Sequence, residues 1–271
     1  MNRAGRRYGI LVLGVLGVFA YPDQERARSS GEVPSSDGTA VLLVPGWGDR
    51  ASDMEPLRQR LIEAGWPEDE VRALTFSDPW GSNERNAVEV ADAVRELSEQ
   101  DGIASVDIVA HSMGGLAVRT FLTESSQPAS DRHIPVRRVA FLGTPHRGTV
   151  AAVLAWGEGG RQMVPGSEFL ENLNHLGDAH VLEAVDILSI RSPVDLLVIP
   201  GSSAMLPGAR NLEICCPTHH GMVNDDRVFD ALLTFLLEGS DVLEHPDGTI
   251  PFRSDPGGWL DSLRNRGPTG G

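Results

Sequence analysis

The chain has 271 residues, enough for one α/β domain with trimmings or at most two small ones. Its 41% hydrophobic and 23% charged residues are those of a globular protein, which excludes disorder as the default. A formal charge of −15 disfavours nucleic acid and anionic membrane surfaces as partners, and because all 23 basic residues are arginine, a lysine nucleophile or Schiff base is excluded.

The first elements concern export. Arg3, Arg6 and Arg7 precede an apolar run over 9–20, which is short of the roughly 20 residues a bilayer span needs. With Val18-x-Ala20 at its end, segment 1–20 reads as a secretory signal, an uncleaved N-terminal anchor being the alternative. A polar linker over 21–38 comes next. The expected address is therefore outside the cytoplasm, secreted or periplasmic.

From residue 39 strands and helices alternate. Residues 40–44 form a short apolar run typical of a buried parallel strand, and Pro45-Gly46-Trp47-Gly48-Asp49 ends it in a loop. A helix is predicted over 54–64, a strand over 71–76, and an amphipathic helix over 86–97 with Val88, Ala91, Val94 and Leu97 on one face. A strand over 106–110 runs into His111-Ser112-Met113-Gly114-Gly115 and a further helix, and another strand spans 136–142. Region 143–185 reads as a small cap-like insertion carrying apolar surface, with a helix over 149–156, a turn at Gly157-Glu158-Gly159-Gly160 and the segment Gly166 to Leu173. Strands over 187–191 and 211–215 and a closing helix over 223–237 complete a domain of residues 39–238, and 239–271 reads as a flexible tail. Such alternation implies a mainly parallel sheet with helices on both faces.

Cys215 and Cys216 are the only cysteines and are adjacent. Across a trans peptide their Cα atoms would stand about 3.8 Å apart, below the usual disulfide range, so no bridge is expected.

Strand, His-Ser-Met-Gly-Gly and helix make the sequence form of a nucleophile elbow, in which a serine sits on a tight turn with small neighbours. Ala110 stands where the usual Gly-x-Ser-x-Gly has its first glycine, and His111 is expected to pack within the elbow. A serine needs a base, and the base needs a group to orient it. In this architecture the order is serine, acid, histidine, each at the carboxyl end of a strand. The loop before the closing helix holds His219 and His220, of which His219 is preferred. If 187–191 is the strand, Asp195 comes after it as the acid; if 196–200 is the strand instead, Asp225 is the substitute. The backbone N–H groups of Trp47 and Met113 are the candidate oxyanion donors. No set of His, Cys and carboxylates has metal-ligand spacing away from this loop, so neither metal nor cofactor is expected.

The segment from Val106 to Gly115 resembles the nucleophile segment of the lipase class 2 family, the small secreted bacterial triacylglycerol lipases of the α/β-hydrolase superfamily. The resemblance extends to Gly46-Trp47-Gly48, Gly81-Ser82-Asn83, Gly143-Thr144-Pro145-His146-Arg147-Gly148-Thr149, the stretch from Ser189 through Asp195 to Val198, Leu206 to Asn211, and His219-His220-Gly221-Met222, covering roughly residues 40–237. It implies an α/β-hydrolase fold, Asp195 as the orienting acid and His219 as the base. Pro45 departs from the pattern, since many relatives have histidine there, and region 143–185 is longer than in the smallest members. The expected activity is that of a serine carboxylic-ester hydrolase, lipase-like, acting as a monomer on acyl-ester or lipid substrates with transient contact at a lipid interface. An acyltransferase using the same triad, or a degenerate binding protein, are the alternatives.

Overall fold

The computed structural model describes residues 38–125, 136–176 and 185–239. The expected signal over 1–20, the linker before Gly38 and the tail beyond Gly239 lie outside the described residues. Among the described residues six strands form one parallel sheet: β1 (Thr39–Val44), β2 (Val71–Ala73), β3 (Ser105–His111), β4 (Val136–Leu142), β5 (Asp186–Arg191) and β6 (Arg210–Glu213), in the order β2-β1-β3-β4-β5-β6. The helices are α1 (Glu55–Glu63), α2 (Asn83–Ser98), α3 (Gly114–Ser125), α4 (Gly157–Gln162), α5 (Glu168–Leu176) and α6 (Asp226–Glu238). This is the α/β-hydrolase fold expected from the sequence.

The strands read as unbroken apolar runs because both faces are covered. Val41, Leu43, Val109, Ala140, Leu142, Leu188 and Ile190 point to one face, where α1 and α6 pack with Leu57, Leu61, Leu232 and Phe235. Ala40, Leu42, Val44, Ile108, Ala110, Val139 and Phe141 point to the other, against α2 and α3. A side-chain period of two thus feeds two cores from one set of strands. At the amino end of the sheet the buried Asp107 of β3 takes a bidentate contact from Arg137 (2.6 and 3.0 Å) and the Arg138 amide at 3.1 Å, so its charge is fully paired.

Several boundaries differ from the sequence reading. Strand β2 stops at Ala73, although Leu74 still donates to the Leu43 carbonyl at 2.9 Å and Phe76 stays buried. On α2 the inward face is Asn83, Asn86, Ala87, Val90, Ala93, Val94 and Leu97, while Val88 is 55% exposed. The helix begins three residues earlier than predicted, capped by Ser82, and its buried stripe includes two asparagines that apolar periodicity overlooks. Both Asn83 donors are taken by Gln162, whose Oε1 accepts from its amide and from its side-chain Nδ2 at 2.8 Å each. The predicted helix over 149–156 is a 3₁₀ turn, Val150–Leu154, and the predicted Gly-Glu-Gly-Gly turn is helix α4. Gly159 and Gly160 serve close packing there: a Cβ would lie 2.5 Å from the Met113 sulfur at one and 2.9 Å from Ala155 at the other. The predicted last strand ends at Glu213, and the closing helix is split into a 3₁₀ turn (His220–Val223) and α6. Cys215 and Cys216, expected to be unbridged, are paired as a vicinal disulfide; the peptide bond between them is cis, so the spacing of a trans peptide does not apply.

In a parallel sheet all carboxyl ends lie along one edge, and the loops leaving β1, β3, β5 and β6 meet there. Phe141, fully buried between β4 and the α2–α3 layer, is a sensitive probe of that frame. Replacing it by Ala should lower the stability by about 3–5 kcal/mol, read as a reduced urea midpoint at unchanged slope.

Candidate active site

Strand β3 ends at His111, and Ser112 comes next with φ +52°, the one non-glycine residue in the left-handed region among the described residues. Its amide donates to the Leu142 carbonyl at 2.9 Å and its carbonyl accepts from Gly115 at 3.1 Å, so the turn is fixed from both sides. Two glycines let α3 start this close. A Cβ on Gly114 would lie 2.2 Å from the Pro45 carbonyl oxygen, and one on Gly115 would lie 2.1 Å from Thr144 Oγ1. Ala110, in place of the usual glycine, is completely buried without conflict.

The amides of Met113 and Trp47 are free of backbone acceptors among the described residues, whereas Gly48 beside Trp47 donates to Pro79 at 3.0 Å. Met113 follows the serine directly, and Gly46, next to Trp47, comes so close that a Cβ on it would lie 3.0 Å from Ser112 Cβ. Met113 is wholly buried, and its side chain joins Leu116, Ala152, Met163, Leu170 and Leu173 in a small core that seats α4 and α5 on α3.

Asp195 lies on the loop after β5, and residues 196–200 are not a strand. Its Oδ1 accepts from the amides of Leu197 (2.8 Å) and Val198 (3.0 Å), which leaves Oδ2 for His219 Nδ1 at 2.7 Å. Both side chains are buried. A carboxylate can only accept, so the proton sits on Nδ1 and the Nε2 lone pair is free. Burial alone would raise Asp195; the hydrogen bond and charge of His219, with the two amides, outweigh it and hold the carboxyl below its ordinary value. For His219 burial dominates: it pulls the imidazole down, Asp195 opposes it, and the neighbouring His111 and His220 rings add to the lowering. The His219 imidazole is thus neutral where an ordinary histidine begins to charge.

The structure brings Asp195 and His219 into contact and sets Ser112 on the same edge. No hydrogen bond from the Ser112 hydroxyl is formed among the described residues. Asp225 instead caps α6, accepting from the Arg227 and Val228 amides, and His220 is exposed. His146 is buried with its Nε2 3.3 Å from Ser189 Oγ.

Sequence reasoning misses two residues here. His111, expected only to pack within the elbow, is 2% exposed; its Nε2 lies 3.2 Å from the His219 carbonyl oxygen and its Nδ1 3.5 Å from Asp49 Oδ2. Asp49 belongs to the loop after β1. The signal present in the sequence is only that a histidine ends the strand and an aspartate ends the Gly-Trp-Gly loop.

An apolar rim flanks the site. Val153, Leu154 (85% exposed) and Trp156 stand on one segment, with Leu196 (75%), Leu197 and Ile199 on the loop after Asp195. The segments are bound together: Val150 N donates to Ile199 O at 3.0 Å, and Thr149 Oγ1 donates to Leu197 O at 2.8 Å and accepts from Ile199 N at 2.9 Å. Trp156 meets Trp47 edge to face at 4.6 Å and accepts from its indole N–H at 3.2 Å. Among the described residues no group of three His, Cys, Asp or Glu side chains could hold a metal ion.

Residues 38–213 match the family described as a domain of unknown function, DUF7379. The chain belongs to the DUF7379 family. Among solved structures, it is similar to Bacillus licheniformis lipase BlEst2 in mature form, with a TM-score of 0.65, 18% identity, and 76% of this chain and 94% of that one covered. Aspergillus fumigatus lipase B gives 0.62 and 20%, covering 74% of this chain and 52% of that one. Paleococcus ferrophilus monoacylglycerol lipase gives 0.52 and 15%, covering 76% and 96%. These likenesses establish the α/β-hydrolase fold. The family match is to DUF7379, so the lipase class 2 resemblance stands only as a likeness of motifs to one branch of that fold.

Because the Asp195 carboxylate offsets burial at His219, Asp195→Asn should shift the His219 midpoint further down, an outcome checked by following the imidazole resonances through an NMR pH titration.

Proposed function

We propose that this DUF7379 protein is a serine carboxylic-ester hydrolase, and that Ser112, His219 and Asp195 are its triad. The observation that carries the reading is Ser112 at φ +52° on the turn between β3 and α3. Such a conformation costs a side-chain-bearing residue of order 1–3 kcal/mol and persists where surrounding structure enforces it. The buried Asp195–His219 contact on the same sheet edge and the two uncommitted amides support the same assignment.

In this mechanism His219 Nε2 takes the Ser112 proton as Oγ attacks the acyl carbonyl carbon. The oxyanion that forms is held by the Trp47 and Met113 amides, donors of a kind individually worth ~10²–10³ in turnover. The tetrahedral adduct collapses, the alcohol leaves with the proton from His219, and the acyl group stays on Ser112. Water then gives its proton to His219, attacks the acyl-enzyme and releases the carboxylic acid, returning the proton to Ser112. Asp195 stays ionised and holds the imidazole throughout.

For the substrate, acyl esters with an apolar chain fit best. The exposed Leu154, Trp156, Leu196 and Leu197 supply a rim for such a chain, and the structures the fold resembles include lipases. The rim also suits a transient contact with a neutral lipid surface, since the chain's −15 charge repels an anionic one. The signal-like 1–20 segment makes it an exported enzyme on this reading.

A fluorophosphonate probe should label the wild-type protein, and Ser112→Ala should remove both labelling and p-nitrophenyl ester hydrolysis, lowering kcat by roughly 10⁶. Labelling that survives in this variant sinks the assignment. His219 must be neutral to act, so kcat/KM is lost as pH falls through its lowered midpoint. The acid limb should lie below the usual histidine value of about 6.5 in a pH-rate profile.

A further inference from the structure

We propose that Thr149 is a positioning residue for the Asp195–His219 pair, its hydroxyl holding the loop whose amides fix the Asp195 carboxylate. The inference rests on the ester-hydrolase reading of the same site, to which it adds a residue that acts through Asp195.

A hydroxyl has one hydrogen to donate and two lone pairs to accept with, and Thr149 uses all three. Its Oγ1 donates to the Leu197 carbonyl at 2.8 Å and accepts from the amides of Ile199 at 2.9 Å and Ala151 at 3.2 Å. Thr149 itself is buried. Leu197 carries the link to Asp195. Its carbonyl takes the Thr149 hydroxyl, and its amide is one of the two donors on Asp195 Oδ1, at 2.8 Å, the other being Val198 at 3.0 Å. Oδ2 is then left for His219 Nδ1 at 2.7 Å. Of residues 196–199 only Val198 is buried, so side-chain packing holds this stretch at a single point and main-chain bonds set the rest.

Thr149 is well anchored for this task. Its amide donates to Met163 O at 2.9 Å, and Met163 shares a small core with Met113 and Leu116. Beside it, Val150 N donates to Ile199 O at 3.0 Å and Arg147 N to Ser203 Oγ at 3.2 Å. Those bonds do not involve the hydroxyl, so without it the two segments stay docked while the Leu197 carbonyl loses its partner. Freed at that end, the Leu197 peptide can tilt away from Asp195 Oδ1. The carboxylate then loosens, and the His219 ring with it.

The test compares Thr149→Val, which keeps the shape and loses the hydroxyl, with Thr149→Ser, which keeps the hydroxyl. On a soluble p-nitrophenyl ester Thr149→Val should lower kcat by about 10- to 10²-fold with KM little changed, and Thr149→Ser should restore most of the loss. In an Asp195→Asn background the same Thr149→Val change should cost about twofold or less, because the group it positions is already disabled. In NMR spectra of the full chain the His219 Nδ1 proton should be sharp and slowly exchanging in the wild type, and broadened or lost to solvent exchange in Thr149→Val. Equal kcat losses in the two backgrounds, or an unchanged Nδ1 proton in Thr149→Val, overturn the proposal. If Thr149→Val fails to fold, wild-type hydrogen exchange decides. The Ile199 amide, whose acceptor is Thr149, should then exchange together with those of Leu197 and Val198, whose acceptor is Asp195; an Ile199 amide that exchanges far faster breaks the link. The spectra need no turnover, so a wild type that a fluorophosphonate fails to label ends the hydrolase reading, while the exchange data separately decide whether Thr149 holds Asp195.

Discussion

A residue with a side chain is held at φ +52° only if its neighbours have none to spare, and this constraint organises the molecule around Ser112. Gly114 lets the first turn of α3 press against the Pro45 carbonyl, and Gly115 lets the next position close on Thr144. A methyl group at either point would meet atoms at 2.1–2.2 Å, one of them backbone that cannot rotate away. Helix α3 would then slide outward, taking the Met113 amide from the serine. The loop after β1, the end of β4 and the start of α3 are thereby fixed relative to one another through a single turn. The strain is offset by the Leu142 and Gly115 hydrogen bonds and by the closely packed strands beneath.

The electrostatics of the edge repeat one theme. Two buried imidazoles each have a carboxylate on Nδ1: Asp195 for His219 at 2.7 Å and Asp49 for His111 at 3.5 Å. The difference lies at the other nitrogen. His111 Nε2 is engaged by a carbonyl, which fixes it as a donor, whereas His219 Nε2 has no such partner among the described residues and keeps its lone pair. The two rings stand 4.7 Å apart.

Much of this is legible in the sequence, for identifiable reasons. Unbroken apolar runs mark the buried parallel strands, and Ser112 is marked by small residues that only a tight turn requires. Asp195 and His219 come from the rule that such residues occupy loops at strand ends; residues 196–200 form no strand, and Asp195 contacts His219. Glycine misleads at 157–160, where it marks a helix pressed against Met113 rather than a turn, because composition does not distinguish close approach from flexibility. Val88 misleads because α2 buries two asparagines that an apolar pattern omits. The Asp49–His111 contact joins residues 62 positions apart through loops, and no local spacing announces it.

The apolar rim and Asp195 are one mechanical unit. Thr149 Oγ1 bonds both Leu197 and Ile199, while the Leu197 and Val198 amides are the donors that fix Asp195 Oδ1. Leu196 and Leu197 are therefore exposed on the same few residues whose backbone sets the carboxylate. A shift of the rim by more than a hydrogen-bond's tolerance would release Asp195 and with it the tautomer of His219. Exposed leucines at this place are costly in water and cannot withdraw without dismantling the pair behind them. The exposed leucines are thus held in place by the same bonds that fix the Asp195 carboxylate against His219.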